Sequence, residues 1–188
     1  MRHWGLGLLI LGLLTQAACA KRDAPRDCPE QPTDALVVSP GLMAFLSRAR
    51  AAHHAADGLE EKEPRSALAQ LEKLIRGPLP PGNPTEAREV LADTRARMAD
   101  LRSQLGDFEG ALRDIEGGLE LAKEITYFRG HLFEVQGLVH DRRAKALKES
   151  GKQQEAEEAK EQALSAYERS MGIQAKVIEE ALEGKGTP

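Results

Sequence analysis

Residues 105–112 read Leu-Gly-Asp-Phe-Glu-Gly-Ala-Leu and separate two runs of good helix formers. Gly106 can take positive φ without steric cost and so can end the first helix. Asp107 can cap the start of the next through its carboxylate. Ala111 is small enough to let two antiparallel helices approach closely, which is the pattern of a helical hairpin. The pattern returns 45 residues on as Ser150-Gly151-Lys152-Gln153-Gln154-Glu155-Ala156. A weaker copy precedes it at Glu63-Pro64-Arg65-Ser66-Ala67-Leu68, with Ala67 lying 44 residues before Ala111. Similar bends at a constant interval predict an all-α chain of antiparallel helical hairpins stacked as a short array of about six helices.

Apolar periodicity places the helices. Ser39 is a candidate N-cap for a first helix entered at Pro40, carrying Leu42, Phe45, Leu46 and Ala49 and stopping near Gly58. Pro64 suits the first position of a second helix, whose stripe is Ala67, Leu68, Leu71, Leu74 and Ile75. Thr85 is the expected cap of a third helix, buried along Val90, Leu91, Thr94, Met98 and Leu101. A fourth follows Asp107, with Gly117-Gly118 in its interior marking a close helix crossing or a kink. A fifth spans about Tyr127 to Glu149. The sixth runs about 30 residues from Gln153 to Leu182, longer than its partner, so its last turns either fold over a neighbour or project. Aromatic residues make up only 4% of the chain, so Leu, Ala, Ile and Val must fill the core, which favours helices over a β-sandwich.

The first 18 residues have the composition of an export signal. Arg2 gives the positive start, Gly5 to Leu14 form a ten-residue apolar run too short for a bilayer span, and small residues follow. Residues 19–39 carry prolines at positions 25, 29 and 32, scattered charge and no helical period. They read as a disordered tether whose coil dimensions correspond to roughly 25 Å. Within it, the apolar patch Ala35-Leu36-Val37-Val38 can staple onto the first helix or act as a short extended recognition element. The helical domain then covers 40–183, and residues 184–188 are expected to fray.

Two resemblances follow. Ala17-Ala18-Cys19 resembles the lipobox of bacterial lipoproteins, although Gln16 stands where that family prefers Leu. The resemblance implies that Cys19 becomes the acylated first mature residue. It implies a palmitate-bearing membrane anchor, with Ala20 permitting sorting to the outer membrane, facing the periplasm. Ala18-Cys19-Ala20 also fits an ordinary cleavage site, which would give a soluble periplasmic or secreted protein. With Cys19 lipidated or removed, Cys28 has no intramolecular partner.

The helical region resembles the tetratricopeptide repeat (TPR) family. Gly106, Ala111 and Ile115 match its turn, its small packing residue and its second-helix apolar position. Ala99 with Ala111, and Ala144 with Ala156, repeat its small-residue pairing at an interval of twelve. The period here is longer than that family's, Arg102 and Leu147 replace its first-helix aromatic, and Lys160 takes a normally apolar position. A divergent TPR-like array and a plain six-helix bundle therefore both remain open. The resemblance implies protein binding on a concave groove lined by first-helix residues of each hairpin: Arg97, Asp100 and Gln104, then Asp141, Arg142, Lys145 and Lys148. The basic run 142–148 would accept an acidic peptide, or else is a solvated face paired with Glu.

The chain carries 26 basic and 30 acidic residues, and removal of Arg2 with the leader leaves 25 against 30. That balance gives no electrostatic footprint for nucleic acid or anionic lipid. His53-His54 are adjacent and diverge by about 100° on a helix, so they do not form a helical metal pair, and no phosphate loop or nucleophile elbow occurs. The expectation is a non-catalytic envelope lipoprotein without metal or cofactor, acting as an adaptor or assembly factor on another envelope protein or peptide. The alternative is a structural spacer that self-associates as a homo-oligomer through its long last helix.

Overall fold

The computed structural model describes residues 39–184. The predicted leader, Cys19, Cys28, the patch 35–38 and the last four residues lie outside that range. Six helices follow in order: α1 (Pro40–Asp57), α2 (Pro64–Ile75), α3 (Thr85–Gln104), α4 (Phe108–Leu121), α5 (Tyr127–Glu149) and α6 (Gln153–Leu182). No strand occurs among the described residues. The chain is an all-α array of antiparallel hairpins, α1–α2, α3–α4 and α5–α6.

The two recurring turns are the same motif. Gly106 and Gly151 hold φ of +82° and +76°, where a side chain would be strained. At the first, Gly106 N–H donates to Ser103 O and Asp107 N–H to Arg102 O. At the second, Gly151 N–H donates to Lys148 O and Lys152 N–H to Leu147 O. These paired bonds satisfy the last carbonyls of α3 and α5. The first hairpin turns differently. Gly58 stays right-handed at φ −68°, and a longer link leads to Pro64.

The starts are set by local chemistry. Ser39 accepts from Leu42 N at 3.1 Å and Asp107 from Gly110 N at 2.9 Å, so both act as N-caps. Thr85 does not. Pro84 is the N-cap, its carbonyl taking the first helical N–H groups, while Thr85 is the first helical residue and its hydroxyl accepts from Arg88. Pro84 has no N–H to leave unsatisfied, and its extended backbone lets the helix begin at the next residue.

Packing distinguishes an array from a bundle around one core. Helix α3 packs against α1, α2, α4 and α5, whereas α6 packs against α5 alone. Two apolar clusters join the first hairpin to α3: Phe45, Ala49, Leu74 and Leu91 in one, Ala56, Leu71, Met98 and Leu101 in the other. A third joins α3, α4 and α5 through Ala92, Ala96, Ala99, Ala111, Ile115, Leu132 and Val139. Helix α3 is therefore apolar on two sides and sits between its neighbours as a shared wall. Gly118 marks a close crossing with α5. Helix α4 runs unbroken, and the Leu132 side chain fills the space where a Cβ would stand.

The α5–α6 contact is built from small residues. Gly130 and Gly137 lie against Gln174 and Tyr167 of α6, and Ala156, Ala159, Ala163 and Ala166 supply the buried face of the partner. A Cβ at Gly137 would intrude into the Tyr167 ring. Close backbone approach thus replaces large side chains along this pair.

Candidate functional site

Polar groups at the hairpin joints repeat with the same 45-residue interval as the turns. Arg97 reaches back from α3 to the first hairpin, pairing with Asp57 and with Glu60 at 2.7 Å. Arg142, 45 residues on, reaches back from α5 to the second hairpin. It contacts Asp100 Oδ1 and Ser103 Oγ, each at 2.6 Å. Each guanidinium therefore clips its hairpin to the preceding one, and its fork geometry suits two oxygen acceptors at once. His53 adds a contact at the first joint, its Nε2 lying 2.9 Å from Thr94 Oγ1. Burial lowers the pKa of His53, with Asp93 opposing that effect.

Arg102 joins three helix segments by charge. Its Nε lies 2.8 Å from Asp114, its Nη1 3.1 Å from Asp107 and its Nη2 2.8 Å from Glu72. Three helix segments meet on one side chain. Arg95 also binds Asp114, at 3.0 Å. Burial raises the pKa of Asp114, and the two guanidinium groups oppose that shift. Asp107 is shifted downward, first by the Gly110 N–H that it caps and then by Arg102.

The residues predicted to line a groove thus divide into two groups. Arg97, Asp100 and Arg142 are engaged in the joints, and Gln104 donates to Asp100 at 2.7 Å. Asp141, Lys145 and Lys148 are exposed at the outer end of the stack. Their counterparts 45 residues earlier are Ala96, Asp100 and Ser103, all facing α5 or bonded to it. Exposed charge thus stands at these α5 positions in place of the small or joint-forming residues of α3. Asp141 accepts from Tyr167 Oη at 2.9 Å, and burial together with that bond pushes the phenol up to about 12.

Two further features depend on the tertiary packing. The first is a cleft between α4 and α5 of about 690 Å³, lined by Leu112, Ile115, Leu119, Glu116, Gln136 and His140 among others. His140 is buried, and its Nδ1 has no hydrogen-bond partner within the structure. Burial, then Arg143, lowers its pKa. It occupies the register of Arg95, but Ala159 stands where the acidic partner Asp114 would recur, so no carboxylate bonds the imidazole Nδ1, although the nearby Asp141 opposes the downward shift. The 45-residue comparison alone would have found this. The second is a stripe on α6. Leu164, Met171, Ile178 and Leu182 are 57%, 63%, 60% and 84% exposed. The seven-residue spacing of the first three is visible in the sequence, where the alanine row beside it is the stronger signal.

Among the described residues, no group of three or more His, Cys, Asp or Glu is placed to hold a metal ion, and no helix is long and apolar enough to cross a membrane. A scan against protein-family models, a search of curated proteins and a search of solved structures each returned no match to this chain.

Proposed function

We propose that this protein is a non-catalytic, TPR-like adaptor of the bacterial cell envelope, tethered through a lipid on Cys19 and binding another envelope protein or peptide. The observation that carries the reading is the outer end of the stack. Internal positions that pack or pair hairpins are replaced there by exposed Asp141, Lys145 and Lys148. Groups that would otherwise suggest chemistry, namely Arg97, Arg102, Arg142, Asp107 and Asp114, are committed to holding helices together. Lys145 and Lys148 lie one turn apart on α5 and present two exposed cations to an acidic segment.

Two measurements test this reading separately. Labelled palmitate should enter the protein and the label should vanish in Cys19→Ala, with the protein leaving the membrane fraction; an unlabelled wild-type chain rejects the anchor. An acidic peptide should bind the full chain, and Lys145→Glu with Lys148→Glu should weaken it by about 1–2 kcal/mol, as for exposed charge pairs acting together. Unchanged binding rejects this end as the docking surface.

A further inference from the structure

Helix α6 is the one described helix packed on a single neighbour, and the repeat register says what its bare side corresponds to. Leu119 of α4 packs on the cluster that α4 shares with α5, and its counterpart 45 residues on, Leu164, is 57% exposed, whereas Ala163, the counterpart of Gly118, is buried. The position that α4 packs at Leu119 is therefore uncovered at Leu164 of α6. Below Leu164 the uncovered stripe continues as Met171, Ala175, Ile178 and Leu182, alternating spacings of four and three residues after Met171. That is the seam one helix presents to another. Each of these residues is exposed.

The flank of the seam is acidic. Glu161, Glu168 and Glu179 lie along its outer border, exposed and with no ion pair to any described residue. Like charges along one border oppose a second copy laid antiparallel on the same seam, since the acidic borders of the two copies would then meet. They favour an opposite charge on the incoming helix.

We propose that the outer face of α6 is a docking site for an amphipathic helix of a partner protein, its apolar stripe on Leu164, Met171 and Ile178 and its Lys or Arg residues against Glu161, Glu168 and Glu179. This rests on the reading of the protein as a binding module, and it adds a second surface distinct from the lysines of α5.

The test uses the full chain and two designed helical peptides of about three heptads, with Leu at a and d and either Lys or Glu at e and g. The Lys peptide should bind one to one and the Glu peptide should not. Met171→Glu with Ile178→Glu should weaken the Lys peptide by about tenfold or more. Glu161→Lys, Glu168→Lys and Glu179→Lys together should reverse the preference toward the Glu peptide. Lys145→Glu with Lys148→Glu should leave Lys-peptide binding intact, so a failure of the α5 surface is separable from a failure here. The proposal is overturned by absence of Lys-peptide binding or by equal binding to the Met171→Glu, Ile178→Glu variant. A dimer of the intact chain in sedimentation equilibrium that this variant dissolves would also overturn it, since a second copy would then be the occupant.

Discussion

Arg102 is a point where charge, not apolar packing, joins three helix segments. The guanidinium is held by Glu72, Asp107 and Asp114, and Asp114 is itself buried. Removing the arginine leaves that carboxylate with Arg95 alone. Arg102→Ala should cost about 2–3 kcal/mol in urea unfolding, because the penalty is dominated by the stranded charge. Arg102→Met with Asp114→Leu should recover most of the loss. Full additivity of the two single changes would show that the pair is not coupled.

The histidines set a pH dependence at the same scale. His53 and His140 both have pKa values lowered by burial. As pH falls through the ordinary histidine range near 6.5, the unfolded chain takes up protons before the folded one, so stability declines. At about pH 7.5 both states leave these groups neutral and no penalty applies. Unfolding free energy should therefore fall between about pH 7.5 and 5.5, and a His53→Gln, His140→Gln variant should show a flatter profile. An equally steep profile in the variant would assign the slope to other groups.

At the scale of helices, α3 and α6 are opposites. Helix α3 is covered by four neighbours and buries Leu91, Met98 and Leu101 among others. Helix α6 is longer but docks through alanines, each removing little apolar area from water, and its second half leaves Met171, Ile178 and Leu182 outside. Amide exchange should be slowest in α3 and fastest in residues 171–182 of α6, outside the fraying ends of the other helices. Uniform protection along α6 would mean that its outer face is covered in solution.

Much of this level is legible in the sequence. Gly106 and Gly151 announce their turns because a left-handed residue is chemically distinctive, and the alanine row of α6 announces its buried face. The cap of α3 is less legible, since Pro84 and Thr85 are both acceptable at a helix start and only the backbone decides between them. Arg97 and Arg142 look like surface groups in the sequence because ion pairs between residues some 40 apart leave no local pattern. The loss of the acidic partner beside His140 shows only in the 45-residue comparison, where Ala159 stands in place of Asp114.

At the scale of the molecule, the described hairpins are joined in series while the outer side of α5–α6 is uncovered among the described residues. Two arginine clips and three apolar clusters run from the first hairpin to the third and stop at α5–α6. Period and turn chemistry foretell the array. They do not foretell which positions are left uncovered, because exposure of Leu164 or Lys145 depends on how the described helices pack rather than on either residue. The most direct test of the account is site-specific photocrosslinking in cells that express the full chain. The reactive group is placed in turn at Lys148, Leu164, Met171 and Ile178, and at the exposed Ala69 and Glu109 on the other hairpins as references. The account predicts discrete heteromeric adducts from the four outer-end positions and none from the two references. Adducts of equal yield from all six positions, or from the references alone, would contradict it.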